Sequence, residues 1–333
     1  IGAEAGFKGV VDLVKMKAEE FAADESGDSK SCDIPADMQD KVAEIREKFI
    51  EDIAESSEEL LDKYLDGQEL SNDEISAAIK AAVAEDNLHC VMCSSGTKNN
   101  GTKQILDFVI NCFPSPVSRT EVEALDSKTN EIVKIKTGEN EPLFAYVFKT
   151  IADPYAGKLT LFRIFSGSVS PDSTLYNAKK QTKEKIGQIL RIEGKAQNSV
   201  DAAVAGDIVA VAKLKDTTTG DTFAEDKTTA CYKEIDHQKP VASFAVFAKN
   251  RSDEDKMAGA FARLMEEDPT LTFGRNDETK EFLLNGVGQV HLDVAVAKLK
   301  RKFGVDIEMK TPKISYRETI KGRTKIQGKH KKQ

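Results

Sequence analysis

The chain has 333 residues, a net charge of −8 and an apolar fraction of 40%, values that exclude a wholly disordered protein and predict two or three domains. No apolar run approaches the roughly 18 residues that a membrane-spanning helix needs, and no signal peptide is visible, so we expect a cytoplasmic protein without a membrane partner. Cys90 and Cys93 form a CxxC pair, but no second pair or nearby histidine completes a zinc site. We therefore predict reduced thiols and no bound metal.

The first thirty residues show only weak local patterns. Phe7–Met16 is compatible with a strand or a short helix, and the run of Gly9, Val10 and Val11 favours a strand. Gly27–Ser31 is small and polar, which predicts a loop.

Negative charge is concentrated in the helical segment that follows. Residues 19–86 contain 22 acidic and 6 basic side chains, a net charge of −16, which leaves +8 for the remainder. We predict one helix opened by Pro35, a second started by Ser56 or Ser57, and a third after the capping-box pattern Ser71–Glu74. The acidic residues lie mostly on the polar faces of these helices, which are either simply solvated or a docking surface for a basic partner.

The next segment has the pattern of an α/β unit. Leu88–Cys93 is a continuous apolar run, which predicts a strand covered on both faces. A polar loop, Ser94–Gly101, separates it from an apolar helical stripe that includes Ile105 and Phe113 and stops at Pro114. A loop at the carboxyl end of such a strand is a potential ligand site.

The middle of the chain, Pro142–Lys213, is a series of short alternating runs closed by turn residues, and it predicts a β-sandwich or barrel. A turn is predicted at Asp153–Gly157 between two of these strands. Thr120–Asn140 is polar and is interpreted as a linker with a single strand at Ile132–Lys136. The middle segment carries no histidine, cysteine or clustered carboxylates, so it predicts a scaffold or docking domain.

From Val241 to Met309 the elements follow the order β-α-β-β-α-β, which is the split βαβ or ferredoxin-like unit. Ser252 or Asp253 is predicted to cap its first helix. His291 lies on its second helix and faces no obvious carboxylate, so we interpret it as packed or exposed rather than catalytic. The basic end, Lys321–Lys332, holds six Lys or Arg side chains and one histidine.

Taken together, these parts resemble the elongation factor G family of translational GTPases. Segments similar to that family's motifs are Phe7–Lys17, Ser94–Gly101 with Phe113–Pro116, Asp153–Leu159, Ala205–Val211, Thr217–Thr222, Glu267–Thr270, Gly288–Asp293 and Tyr316–Ile320. The resemblance implies a multidomain α+β fold. It places the carboxyl-terminal part of an α/β G domain with an acidic helical insert at residues 1–117 and a translation-factor β-barrel at 118–237. A ferredoxin-like domain follows at 238–317, and the start of a further, truncated domain at 318–333.

By the same resemblance, Ser95, Gly96 and Thr97 form the guanine-side loop of a GTP site. The intact protein is expected to use GTP with Mg²⁺. The family's phosphate loop, switch regions and NKxD motif are not in this sequence, so we expect no bound cofactor and no hydrolysis here.

The strands that would flank Leu88–Cys93 in a whole G domain are also missing, which predicts local disorder or pairing with another segment or a second copy. Gln289 stands where the family usually has Glu, and this favours a paralogue over the housekeeping factor.

The implied partner is the ribosome, through ribosomal RNA and small-subunit proteins, and not DNA. Lys149, Lys158 and Arg163 are candidates for contacts with RNA phosphates, against the alternative that each is an ordinary exposed strand residue. The implied function is translocation in protein synthesis. Two alternatives stay open: a ribosome-protection or regulatory paralogue that acts by docking, and a binding module with no ribosomal role.

Overall fold

The computed structural model describes residues 1–153 and 157–332, which form two compact units, Ile1–Ser118 and Arg119–Gln333. In these residues no helix is both long enough and apolar enough to cross a membrane. The turn predicted between Asp153 and Gly157 falls on residues 154–156, outside the described part of the chain. The domain boundaries inferred from the sequence stay predictions.

The first unit combines a small antiparallel sheet with four helices. Its elements are β1 (Gly9–Asp12), β2 (Lys17–Phe21), β3 (Ser29–Cys32), α1 (Gln39–Ala54), α2 (Glu58–Leu65), α3 (Asn72–Ala84) and α4 (Thr102–Cys112). The strands pair in the order β1-β2-β3. The loop predicted at Gly27–Ser31 is therefore partly wrong, because its second half belongs to β3.

Apolar residues at helical spacing explain the core of this unit. Ile53 of α1 and Ile75 and Ile79 of α3 are buried together, because i, i+3 and i+4 positions share one side of a helix. The predicted capping box is present: the Glu74 N–H donates to Ser71 Oγ at 3.3 Å, and the Ser71 N–H donates to Glu74 Oε2 at 2.9 Å. Both bonds satisfy donors that a helix start leaves free.

The strand predicted at Leu88–Cys93 is wrong. Residues 88–94 belong to no strand, and Val91 is 95% exposed. An extended segment becomes a strand only when a neighbour takes up its backbone groups, and no neighbouring strand lies beside it in the described residues. Helix α4 forms as predicted, but no residue of it is buried, and Leu106 and Ile110 are exposed.

The second unit begins with a β-rich domain, which has thirteen strands in the residues that the structure describes. They are β4 (Glu121–Asp126), β5 (Ile132–Lys136), β6 (Phe144–Asp153), β7 (Gly157–Ser166), β8 (Ser168–Val169), β9 (Thr174–Asn177), β10 (Thr182–Lys185), β11 (Ile189–Glu193), β12 (Ala196–Val200), β13 (Ala203–Val204), β14 (Ile208–Ala212), β15 (Thr222–Ala224) and β16 (Ala230–Tyr232). Eight of them form one sheet in the order β10-β9-β15-β6-β7-β14-β11-β12. Its outer strands, β10 and β12, do not pair with each other in the described residues, so the sheet is not a closed hydrogen-bonded barrel.

A second layer covers part of this sheet. Strands β4, β5 and β16 form a separate sheet, so the segment interpreted as a linker is a β-hairpin. As a result β6 is buried on both faces: Ala145 and Val147 pack in the main core, while Phe144 packs against Val122 of β4. The alternating pattern alone predicted only one buried face.

The split βαβ domain follows the predicted order. Its elements are β17 (Ala242–Ala248), α5 (Arg251–Glu267), β18 (Thr272–Arg275), β19 (Phe282–Gly286), α6 (Gln289–Phe303) and β20 (Ile307–Lys310). The sheet order is β18-β19-β17-β20 with all neighbours antiparallel, which is the ferredoxin-like arrangement. The prediction of a multidomain α+β fold is thus confirmed.

One detail of the split βαβ domain was predicted incorrectly. The N-cap of α5 is Asn250, rather than Ser252 or Asp253. Asp253 is instead buried and accepts a hydrogen bond from the Asp306 N–H at 3.3 Å, so it connects the first turn of α5 to the start of β20.

Candidate functional site

The loop Ser94–Gly101 is a closed turn at the start of α4. The Ser95 N–H donates to the Asn100 carbonyl at 2.8 Å, and the Asn100 N–H donates back to the Ser95 carbonyl at 3.0 Å. Gly101 has φ of 79°, and a Cβ there would lie 2.8 Å from the Cys93 carbonyl oxygen, so a side chain is excluded. The loop is therefore held in one shape at its base.

Contacts with the residues before β1 and with the connection between β2 and β3 anchor the far side of this loop. Lys98 Nζ donates to the Ala5 carbonyl at 3.2 Å, and Asn99 Nδ2 donates to the Glu25 carbonyl at 3.3 Å. Asn100 is buried, and its side chain donates to the Phe7 carbonyl at 3.5 Å. These three side chains hold the second half of the loop, residues 98–100, and they leave Gly96 and Thr97 uncovered.

Two of the three residues predicted to face guanine, Gly96 and Thr97, lie in the turn, and the third, Ser95, lies at its base. Ser95 Oγ lies 3.4 Å from Thr97 Oγ1, and Gly96 and Thr97 are exposed. Within the described residues the Gly96 N–H has no hydrogen-bond partner. Two hydroxyls and one free N–H can hydrogen-bond the carbonyl of a heterocyclic base. The arrangement fits the predicted role, which stays a prediction.

Lys149 and Arg163, two of the three predicted RNA-contact residues, lie on the same face of the β6–β7 pair. Lys149 is opposite Leu161 and Arg163 is opposite Tyr146, and directly opposed residues of an antiparallel pair point to the same side. Leu161 and Arg163 are two positions apart, so the two cations are separated by roughly 7 Å along the strand. Lys158 is five positions from Arg163 and thus lies on the opposite face.

Arg163 is further fixed by an aromatic stack. Its guanidinium carbon lies 5.4 Å from the centre of the Phe165 ring, and that ring stacks on Tyr232 at 5.0 Å with an angle of 5°. Cation–π contact of this kind orients a guanidinium while leaving its outer donors available. Sequence reasoning missed Tyr232, because it lies on β16, far along the chain, and no local pattern connects it with Phe165.

Comparison with known proteins identifies both parts of the second unit. Residues 142–226 match the family model "Elongation factor G domain 2", and residues 238–311 match "Elongation Factor G, domain III". The chain carries domains 2 and III of the elongation factor G family. The family predicted from the sequence is therefore confirmed, and it is a family of translation factors.

A solved crystal structure of a protein from Thermus thermophilus is similar to almost the whole chain. The two share 27% sequence identity with a TM-score of 0.74, and the match covers 94% of this chain. It covers 44% of the Thermus chain, so the present sequence spans less than half of that protein's length.

In elongation factor G domain III, His291 does have a carboxylate partner, contrary to the sequence-based interpretation. His291 Nε2 lies 2.9 Å from Asp268 Oδ2, and the Val287 N–H donates to His291 Nδ1 at 3.1 Å. Because Nδ1 accepts a hydrogen bond, the ring proton must be on Nε2, where it is donated to Asp268. Both ring nitrogens are occupied, so His291 holds the turn before α6 in place and is not a free base.

Asp268 is a strongly held acceptor. Burial raises the pKa of Asp268, but hydrogen bonds from Thr270 and His291 outweigh this effect and hold the pKa below its usual value. The Thr270 N–H donates to Asp268 Oδ1 at 3.0 Å. The carboxylate thus connects the end of α5 to the start of α6.

The cysteines form no metal site in the part of the chain that the structure describes. All five are free, and Cys90 and Cys112 pack against the core of the first unit. Burial raises the pKa of both of these thiols, which makes them poor nucleophiles at neutral pH.

Proposed function

We propose that this chain is part of a ribosome-binding GTPase of the elongation factor G type that promotes translocation during protein synthesis in the cytoplasm. The observation that carries the proposal is the succession of domains 2 and III in one chain, within a structural match that covers 94% of its length. The proposed partners are ribosomal RNA and small-subunit proteins.

The face that carries Lys149 and Arg163 is the proposed RNA contact. Lys149 is exposed and lies roughly 7 Å from Arg163 along the strand, a distance similar to the spacing of successive phosphates on an RNA strand. Arg163 is oriented by Phe165, so less side-chain entropy is lost when it contacts a phosphate. Lys158 lies on the opposite face and is no part of this proposal.

Ser95, Gly96 and Thr97 are proposed to contact the guanine of GTP in the intact protein. Their support is the exposed Gly96 and Thr97 beside Ser95, whose free N–H and two hydroxyls match the acceptor oxygen of guanine. GTP with Mg²⁺ would supply the energy of the cycle. The residues here can bind and orient the base.

Salt-dependent co-sedimentation of the 333-residue chain with ribosomes tests the proposal. We expect binding that weakens as salt rises, because each phosphate contact releases counterions. The Lys149→Ala/Arg163→Ala double variant should bind more weakly, and the slope of log affinity against log salt should fall by about 1.4 for two contacts to single-stranded RNA. Lys158→Ala is the matched control and should bind like the unchanged chain.

Two results would contradict the proposal. One is the absence of binding at low salt, which would favour a module without a ribosomal role. The other is an equal loss in the Lys158→Ala control, which would show that the affinity comes from general positive charge. A translocation assay with the intact protein then separates movement of messenger RNA from docking alone.

A further inference from the structure

The far half of β6 has an unpaired edge that domain III covers. Strand β15 pairs with β6 only from Phe144 to Tyr146, whereas β7 pairs along the other edge as far as Asp153. In the described residues no strand therefore lies beside Ala152 on the β15 side. A residue in a strand directs its N–H and C=O to the same edge, so both polar groups of Ala152 need a partner there.

Two side chains of domain III provide these partners. The Ala152 N–H donates to Glu267 Oε1 at 2.7 Å, and Lys302 Nζ donates to the Ala152 carbonyl at 3.4 Å. Glu267 and Lys302 also form an ion pair with each other, and their side chains are 9% and 23% exposed. Glu267 supplies the acceptor and Lys302 supplies the donor that the backbone of a neighbouring strand would otherwise offer to Ala152.

The position of Glu267 at the carboxyl end of α5 is electrostatically unfavourable for a negative charge. Glu267 is the last residue of α5, where the helix dipole disfavours a negative charge, and it is nine-tenths buried. Lys302 lies in the last turn of α6, where a cation is favoured. The position of Glu267 is therefore explained by its two partners and not by the stability of α5 itself.

The connection between the two domains is otherwise an exposed segment. Residues 233–241 have neither helix nor strand, and each of them is exposed. Helix α5 packs against β6, so the clamp lies where the two domains meet. Domains joined in this way are expected to move unless their interface is large and apolar.

We propose that Glu267 and Lys302 form a releasable clamp on the backbone of Ala152, and that domain III moves relative to domain 2 about residues 233–241 when the clamp opens. Opening separates two charged side chains from a neutral backbone residue. The ion pair lies wholly within domain III and stays intact, so no charge is left unpaired. Water then hydrates all four groups, which makes release easier than separation of an apolar interface.

The clamp also fixes the orientation of the domains without depending on the side chain it holds. It contacts only the N–H and C=O of residue 152, and both bonds form at one position along β6 and no other. A shift of one residue along the strand would turn both backbone groups to the other edge. In the closed state, domain III can therefore bind β6 at only one residue, Ala152.

Amide hydrogen exchange of Ala152, measured by NMR in the full chain, reports opening directly. In the unchanged chain we expect the Ala152 amide to exchange at least tenfold faster than the Val147 amide, which is bonded within domain 2 to the Asp221 carbonyl at 2.9 Å. Glu267→Ala should speed exchange at Ala152 at least a further tenfold and leave Val147 unchanged. Glu267→Gln keeps an acceptor and should give a smaller increase.

Lys300→Met is the matched control, because Lys300 is on the same helix and pairs with Asp306 inside domain III at 3.0 Å. It should not change exchange at Ala152, whereas Lys302→Met should increase it. The proposal is overturned if Ala152 in the unchanged chain exchanges only at the rate of Val147, because the domains then separate only on unfolding. It is equally overturned if Glu267→Ala leaves Ala152 protected. The comparison of Ala152 with Val147 is made in the unchanged chain. It therefore tests the proposal even if a variant fails to fold.

Discussion

Truncation of Leu299 tests the placement of α6 on the domain III sheet. Leu299 is fully buried and packs in a cluster with Phe261, Leu264 and Leu284. Leu299→Ala removes the buried methyl groups and leaves a cavity, because close-packed neighbours relax only partly. Leu-to-Ala changes at buried sites lower the free energy of unfolding by about 2–5 kcal/mol. Because Leu299 has no exposed surface, we expect a loss in the upper part of this range, about 3–5 kcal/mol.

The free energy of unfolding should be followed within the intact chain by urea denaturation, with hydrogen exchange of β19 amides as the probe for domain III. Val294→Ala on the same helix is the control, because Val294 is 48% exposed and should cost less than about 1 kcal/mol. Leu299→Asp should unfold the domain, since it buries a charge without a partner. Equal urea midpoints for Leu299→Ala and Val294→Ala would show that the apolar stripe of α6 does not face the sheet.

Four further predictions concern the helix cap at Ser71, the carboxylates of Glu74 and Asp268, and the nucleotide. Ser71→Ala should destabilise α3 by about 1 kcal/mol in a thermal melt, because it removes an N-cap acceptor. The Lys63 ammonium and the Ser71 groups lower the pKa of Glu74 from 4.5 to about 2, so Lys63→Met should raise it in an NMR titration. Because the pKa of Asp268 lies below its ordinary value of 3.8, its stabilisation is complete above about pH 4 and is lost as pH falls through the folded pKa; His291→Ala should raise that pKa. The 333-residue chain should show no GTP hydrolysis above background, and measured turnover would contradict the inferred lack of catalytic groups.

Domain III was predictable because its elements are local in sequence. Each helix and strand from Ala242 to Lys310 has a clear period, and each is joined to the next by a short turn. The split βαβ order is typical of a ferredoxin-like sheet, and the structure has this sheet. What the pattern could not give was the cap, because Asn250 and Asp253 are equally good cap residues and their roles depend on Asp306, more than fifty residues away.

The β-rich domain was predictable only in part. Alternation revealed β6, β7 and β14, but it did not reveal that Phe144 faces a second core. That core is built by β4 and β16, which pair across about a hundred residues of sequence. Long-range pairing leaves no local signal, so the second layer and the open edge of β6 could be seen only in the structure.

The failure at Leu88–Cys93 has the same physical origin. A short apolar run is compatible with a buried strand, but the state is decided by a partner and not by the run itself. Here the described residues provide no partner, and the segment stays outside every sheet. The loop predicted at Ser94–Gly101 nevertheless forms, because Gly101 meets a purely local requirement for positive φ at the turn into α4.

The adjacent carboxylates of Glu267 and Asp268 at the end of α5 hold different parts of the structure. Asp268 holds the start of α6 through His291, and Glu267 holds Ala152 of domain 2 together with Lys302 from the end of α6. Both ends of α6 are thus fixed to one dipeptide, so α5 and α6 must move as one body when domain III moves. If the clamp opens, the His291–Asp268 bond therefore stays closed, and the exchange of Val287 should not follow that of Ala152. Parallel changes at both amides would mean that domain III deforms internally rather than moving as a rigid unit.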